Sequence, residues 1–150
     1  MSATREVCTF EIAGQTFGVD ALDVQEIMPP QRVTRVPLAP PGVAGLLNVR
    51  GELVTALDLR HALELPARAA SVDPMNIVLR TGEGLVSLLV DAVGEVMPVA
   101  ESACEVAPPT LPAPARALTE AVVKLNGRLM LRLNTQAVIG STATPQPLAP

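Results

Sequence analysis

The chain has 150 residues, 49% of them hydrophobic, with a mean hydropathy of +0.37 and a formal net charge of −4. That size suits one globular domain, or two small units sharing a core. An acidic chain with no Trp or Tyr, and only Phe10 and Phe17, lacks the cationic surface and the stacking platform of a nucleic-acid binder.

The opening stretch "MSATREVCTFEIAG" has no basic segment followed by an apolar one, so no secretory signal is expected and the expected compartment is the cytoplasm. Next, "VCTFEIAGQTFGVD" alternates Cys8, Phe10 and Ile12 with Thr9 and Glu11, then turns at Gly14-Gln15 into Phe17 and Val19, which predicts a hairpin. "DVQEIMPPQRVTRVP" predicts a strand through Val24 and Ile27, a break at Pro29-Pro30, and a second strand through Val33 and Val36. "PLAPPGVAGLLNVRG" reads as a connection, with at most a helical turn over 43–47. Gly51 opens a further strand in which Leu53, Thr55, Leu57 and Leu59 share a core face, with Glu52, Val54, Ala56, Asp58 and Arg60 opposite.

"RHALELP" predicts a helical turn, and "ARAASVDP" an exposed loop. "MNIVLR" and "GLVSLLVDAVGEVMPV" predict two strands joined at Thr81-Gly82-Glu83-Gly84, the second well buried. Asp91 and Glu95 interrupt this most apolar run, which falls short of the roughly 18 residues of a membrane helix, so no membrane insertion is expected. "PPTLPAP" over 108–114 is expected in a loop or edge, because proline lacks the amide donor. "VVKLNGRLMLRL" predicts a hairpin. A two-residue Asn126-Gly127 turn would pair Lys124 with Leu129 and Val123 with Met130 and mix the faces, which favours a bulged turn at Gly127. A disordered tail is expected over 141–150.

About ten short strands punctuated by Gly and Pro indicate an all-β protein with little helix. Small barrels suit the pattern, and units of about 60 to 70 residues would need to share an apolar seam, with a groove between them as the natural binding site. Chemistry is sparse. His61 is the one histidine, with no nucleophile and base arranged around it. Ser87 lies in an apolar run without a nucleophile-elbow motif, and Thr55 faces the expected core. Glu52 and Asp58 stand six residues apart on one strand, roughly 20 Å, too far to share a bond under cleavage. Nucleotide-binding and zinc-hydrolase motifs are absent. Cys8 and Cys104 form no CxxC and have no His at ligand spacing, so reduced thiols are expected, and no cofactor.

The blocks FGVD (17–20), DVQEI (23–27), GLLNVRG (45–51) and LDLR (57–60) resemble signature blocks of the CheW family of bacterial chemotaxis. VSLLVDAVGEV (86–96) and GRLMLRLN (127–134) fit the family's second half, so the resemblance spans roughly 6–139. It implies two interlocked five-stranded SH3-like barrels, the first over roughly 15–80 and the second over roughly 81–140 plus the N-terminal strand, within one domain over 1–140. It also implies a non-enzymatic adaptor between chemoreceptor cytoplasmic tips and the regulatory domain of a CheA-type histidine kinase. The matching motifs assign receptor contact to Val24, Glu26, Gly45, Leu46, Asn48 and Arg50, with Glu26 and Arg50 approaching across neighbouring strands. Leu88, Val90 and Val93 are candidates for a kinase or ring-forming surface, and Gly51, Asp58, Arg60 and Gly127 for structural roles. Thr55 departs from the family, where proline is common. Three other readings stay open at this point: an adaptor controlling a non-flagellar output, a scaffold detached from a larger kinase, and a small-ligand-binding or hydrolytic β-barrel.

Overall fold

Ala13 and Gly14 both adopt positive φ, at 52° and 81°, as a two-residue type I′ turn requires. The chain therefore reverses between β1 (Thr4–Ile12) and β2 (Gln15–Asp20), pairing Ile12 with Gln15, one residue before the corner expected from sequence. The computed structural model describes residues 3–69, 71–82 and 84–142. Beyond the first hairpin lie β3 (Val24–Met28), β4 (Val43–Val49), β5 (Glu52–Asp58), β6 (Met75–Thr81), β7 (Gly84–Val90) and β8 (Ala92–Ala100). The strands end with β9 (Cys104–Glu105), β10 (Thr119–Leu125) and β11 (Arg128–Leu133), and the helices are α1 (Leu59–Ala62), α2 (Ala113–Leu118) and α3 (Thr135–Thr142).

The strands form a six-stranded sheet, β8-β1-β2-β11-β10-β9, and a five-stranded sheet, β3-β6-β7-β5-β4. Each contains one parallel pair, β2 with β11 and β5 with β7. The little helix expected is found, but the expected barrels are not, because neither sheet closes on itself. In the smaller sheet Pro29-Pro30 ends β3, since proline has no amide to continue a ladder. The strand expected through Val33 and Val36 is a single bridge, Thr34 to Leu46. In the larger sheet β9 is only two residues long and pairs with β10 alone.

Both sheets are nonetheless buried on both faces. Cys8, Phe10, Ile12, Phe17, Leu131 and Leu133 from the larger sheet meet Leu57, Ile77, Leu79, Leu88 and Val90 from the smaller one in the principal core. On the opposite faces, Val7, Val99, Val123 and Met130 form a second cluster, and Leu47, Val49, Val54, Ala56, Val78 and Leu89 a third. This arrangement overturns the bulged turn expected at Gly127. The observed register pairs Leu125 with Arg128, Lys124 with Leu129 and Val123 with Met130. Each face meets its own cluster, since Met130 packs with Val123 in the second while Leu131 points into the first.

Other expectations also change. The segment read as a connection with a helical turn is β4, and its Leu47 and Val49 are buried. α2 and α3 were not expected. α2 begins with Pro112 at its cap, and α3 is capped by the Asn134 carboxamide oxygen, which accepts from the Ala137 amide at 3.1 Å. α3 continues to Thr142, so the tail expected over 141–150 begins no earlier than 143, and 143–150 lie outside the described residues.

The run read as one strand from 84 to 99 breaks at Asp91, where the chain passes from the smaller sheet to the larger. The Asp91 carboxylate accepts from the Ala13 amide at 2.7 Å, from Arg60 at 2.6 Å and from Arg68 at 3.1 Å. Arg68 also faces Asp58 at 3.7 Å. These groups clasp the β1–β2 turn to the end of β5 and to the chain after α1. Burial pushes the Asp91 carboxyl up, but the Ala13 amide and the two guanidiniums outweigh it and hold the group below its ordinary value. A carboxyl depressed on folding contributes stability that is present above its unfolded value, about 3.9, and lost as pH falls through the folded one. Asp91→Asn is therefore expected to lower the urea midpoint at pH 7 and to flatten the acid limb of stability. Parallel acid limbs in variant and wild type would remove the clasp's role.

Candidate functional site

The "NVRG" block is a second two-residue hairpin turn. Arg50 and Gly51 take φ of 51° and 86° between the paired Val49 and Glu52, and the Asn48 Oδ1 accepts from the Gly51 amide at 2.9 Å. Positive φ suits Gly51 and is unfavourable for Arg50, whose Cβ crowds the backbone there. The Arg50 Nε and Nη2 donate to the Glu26 Oε1 and Oε2 at 2.9 and 3.0 Å, a bidentate geometry that fixes the guanidinium plane. The Glu26 hydrogen bond, reinforced by its charge, pushes the guanidinium further above its ordinary value. The Arg50 side chain remains 78% exposed.

Glu26 and Arg50 do approach each other, but not across neighbouring strands. Glu26 lies on β3 and Arg50 beside β4, the two opposite edges of the five-stranded sheet. The sheet curls far enough for its edges to meet through side chains, without a backbone ladder between them. The Thr34 bridge to Leu46, with N···O distances of 2.7 and 2.8 Å, brings the chain after Pro30 across β4 in the same region. Between these features lies a groove of about 460 Å³ lined by Arg32, Thr34, Leu46, Leu47, Asn48 and Leu53.

Of the six residues assigned to receptor contact, Glu26, Leu46, Asn48 and Arg50 gather around this turn and groove. Val24 is half-buried against the principal core. Gly45 is buried and offers no contact surface. At its φ of 152°, a Cβ would stand 2.2 Å from the Thr34 carbonyl oxygen and 2.9 Å from Val33 Cγ1. Its role is to admit the crossing chain that walls the groove.

Leu88 and Val90, candidates for a kinase or ring surface, are fully buried in the principal core, because β7 is central in its sheet. Val93 is half-buried against the same cluster. Asp58 caps α1 by accepting from the Arg60 amide at 3.0 Å, and Arg60 reaches Asp91 and the Pro66 carbonyl. Gly127 supplies a φ of 74° at its hairpin. Ser87 is buried and donates to the Asn76 carboxamide oxygen at 3.0 Å. Among the described residues no group of three or more His, Cys, Asp or Glu side chains could hold a metal ion.

Leu53, Arg32 and Thr34 are groove residues that sequence reading missed. Leu53 was placed on the core face with Leu57, yet it is 69% exposed while Leu57 is fully buried. Beside the turn the buried side of β5 is that of Val54 and Ala56, so Leu53, on the other side, faces the groove.

The CheW-like domain family model matches residues 6–143. The chain is 28% identical over 134 residues to the chemotaxis protein CheW of Bacillus subtilis, covering 89% of this chain and 86% of that one. It is 29% identical over 143 residues to the chemotaxis protein CheW of Klebsiella aerogenes, covering 91% and 82%. The crystal structure of the scaffolding protein TtCheW from Thermoanaerobacter tengcongensis is similar, with a TM-score of 0.78 and 26% identity over 88% of this chain and 90% of that one.

Gly45→Ala tests the crossing. The added methyl meets backbone rather than a movable side chain, so an expected loss of about 2–3 kcal/mol should appear as a lowered urea midpoint. An unchanged midpoint would mean that the Thr34 crossing can shift freely.

Proposed function

The chain belongs to the CheW-like domain family, and we propose that its receptor-docking face is the one built on Arg50 and the adjoining groove. It is a non-enzymatic adaptor that links chemoreceptor cytoplasmic tips to a CheA-type histidine kinase in a chemosensory array, and it works in the cytoplasm at the receptor tips. The observation that carries the docking face is an exposed arginine held at unfavourable φ by a bidentate carboxylate. Such a residue is displayed in one orientation at a conformational cost, and strain of this kind clusters at ligand clamps and switches. Leu46 and Leu53 supply apolar area beside it, while charge sets register. A receptor tip would lay a helical surface against this groove, in the helix-and-groove manner of peptide recognition.

Coupling then follows from simultaneous occupation. A chain holding the receptor through one face and the kinase through another raises the effective concentration of kinase at the receptor, so neither contact need be tight. Leu88 and Val90 do not reach the surface, so the kinase face lies elsewhere.

Titration of the purified chain against a chemoreceptor cytoplasmic fragment and, separately, a CheA regulatory domain tests the reading. Arg50→Glu is expected to weaken the receptor fragment by tenfold or more and to leave the kinase domain unaffected, because it reverses the displayed charge and repels Glu26. Combining it with Glu26→Arg is expected to restore part of the receptor affinity by rebuilding the pair. Equal losses for both partners would remove Arg50 from the receptor face, and a wild-type chain binding neither would overturn the adaptor reading.

A further inference from the structure

The chain from Val36 to Ala39 is a β-turn in which the Ala39 amide donates to the Val36 carbonyl at 3.2 Å. Pro37 occupies the first central position and Leu38 the second, where φ is 64°. A turn with proline first and positive φ second is type II, and its second position ordinarily takes Gly or Asn. Leu38 is instead a large apolar side chain, and it is fully exposed. It is disfavoured twice, by backbone crowding and by solvation of its apolar surface, and no contact within the molecule offsets either. A local rule broken without intramolecular gain points to function.

Thr34 bridges Leu46, so the chain leading to Leu38 runs along β4 from the groove already described. Leu53, exposed at one end, and Val36 and Leu38, exposed at the other, extend the apolar surface along this edge. Arg32 and Arg35 flank it, both exposed and in no ion pair among the described residues. On a chain of net charge −4 this edge is locally cationic, which favours an apolar stripe bordered by carboxylates.

We propose that Leu38 is an anchor that inserts between side chains of a receptor helix, extending the docking face beyond Arg50. This rests on the adaptor reading above. The proline on one side and the tight turn hold the leucine outward before binding, so less conformational freedom is lost on docking. Flanking arginines would meet acidic residues on the same helical surface.

Leu38→Asn and Leu38→Gly separate the anchor from a merely structural residue, since both suit the turn better than leucine. They are expected to raise Tm by about 2–4 °C while weakening the chemoreceptor cytoplasmic fragment about tenfold, with the CheA regulatory domain unaffected. The opposite signs are the diagnostic result. Receptor affinity unchanged in both variants, beside an Arg50→Glu chain that loses it, overturns the anchor alone. Loss of kinase binding instead of receptor binding also overturns it. A wild-type chain that binds neither partner overturns the adaptor reading and the anchor with it.

Discussion

Two open sheets share one core, and most of the structure follows from that sharing. Phe10 and Phe17, the only aromatic residues in the chain, pair across β1 and β2 with ring centroids 5.8 Å apart, a contact worth about 0.5–1.5 kcal/mol beyond area burial. They face Leu57, Ile77, Leu79, Leu88 and Val90 from the other sheet. The second and third clusters, with four and six buried apolar residues, are small beside this seam. A unit that size is marginal alone, so each sheet relies on the other for most of its burial.

Sharing a core leaves the chain with a crossing to manage, and the polar residues divide accordingly. Asp91 sits where the chain changes sheets, and its carboxylate gathers the Ala13 amide, Arg60 and Arg68. Asp58 turns the end of β5 into α1. All of these are partly withdrawn from water and paired within the molecule, although the buried Arg60 Nε itself has no hydrogen-bond partner. Arg50 differs because its guanidinium is oriented but still exposed. The charged residues of one short stretch thus serve two ends: Asp58 and Arg60 fasten the sheets, and Arg50 is held out to solvent.

The unclosed edges of the smaller sheet leave room for the groove beside Arg50. Had β3 and β4 paired along their length, backbone would fill the space that the groove occupies. Pro29-Pro30 ends β3, Gly45 admits a single crossing, and the Glu26–Arg50 pair joins the edges only through side chains. An edge kept open exposes unpaired backbone, a liability for aggregation. The crossing chain with its prolines and arginines covers part of that edge.

The alternation along β1 and β2 was legible in the sequence because one period-two stripe points into the largest core. So were the hairpin signals at Gly14 and Gly127 and the block order of the CheW family, whereas the hairpin at Gly51 was hidden because β4 read as a connection. The bulge expected at Gly127 and the core face assigned to Leu53 failed for one reason: a strand buried on both faces, or leaving the core partway, does not announce its inward side by hydropathy. The break at Asp91, the openness of the sheets and the burial of Gly45 depend on contacts between residues distant in sequence. Local pattern therefore determined the strand class, the turns and the family. Only the tertiary structure decided which edges stay open and which side chains meet across them, because curl and crossing are set by packing between sheets rather than by any one segment.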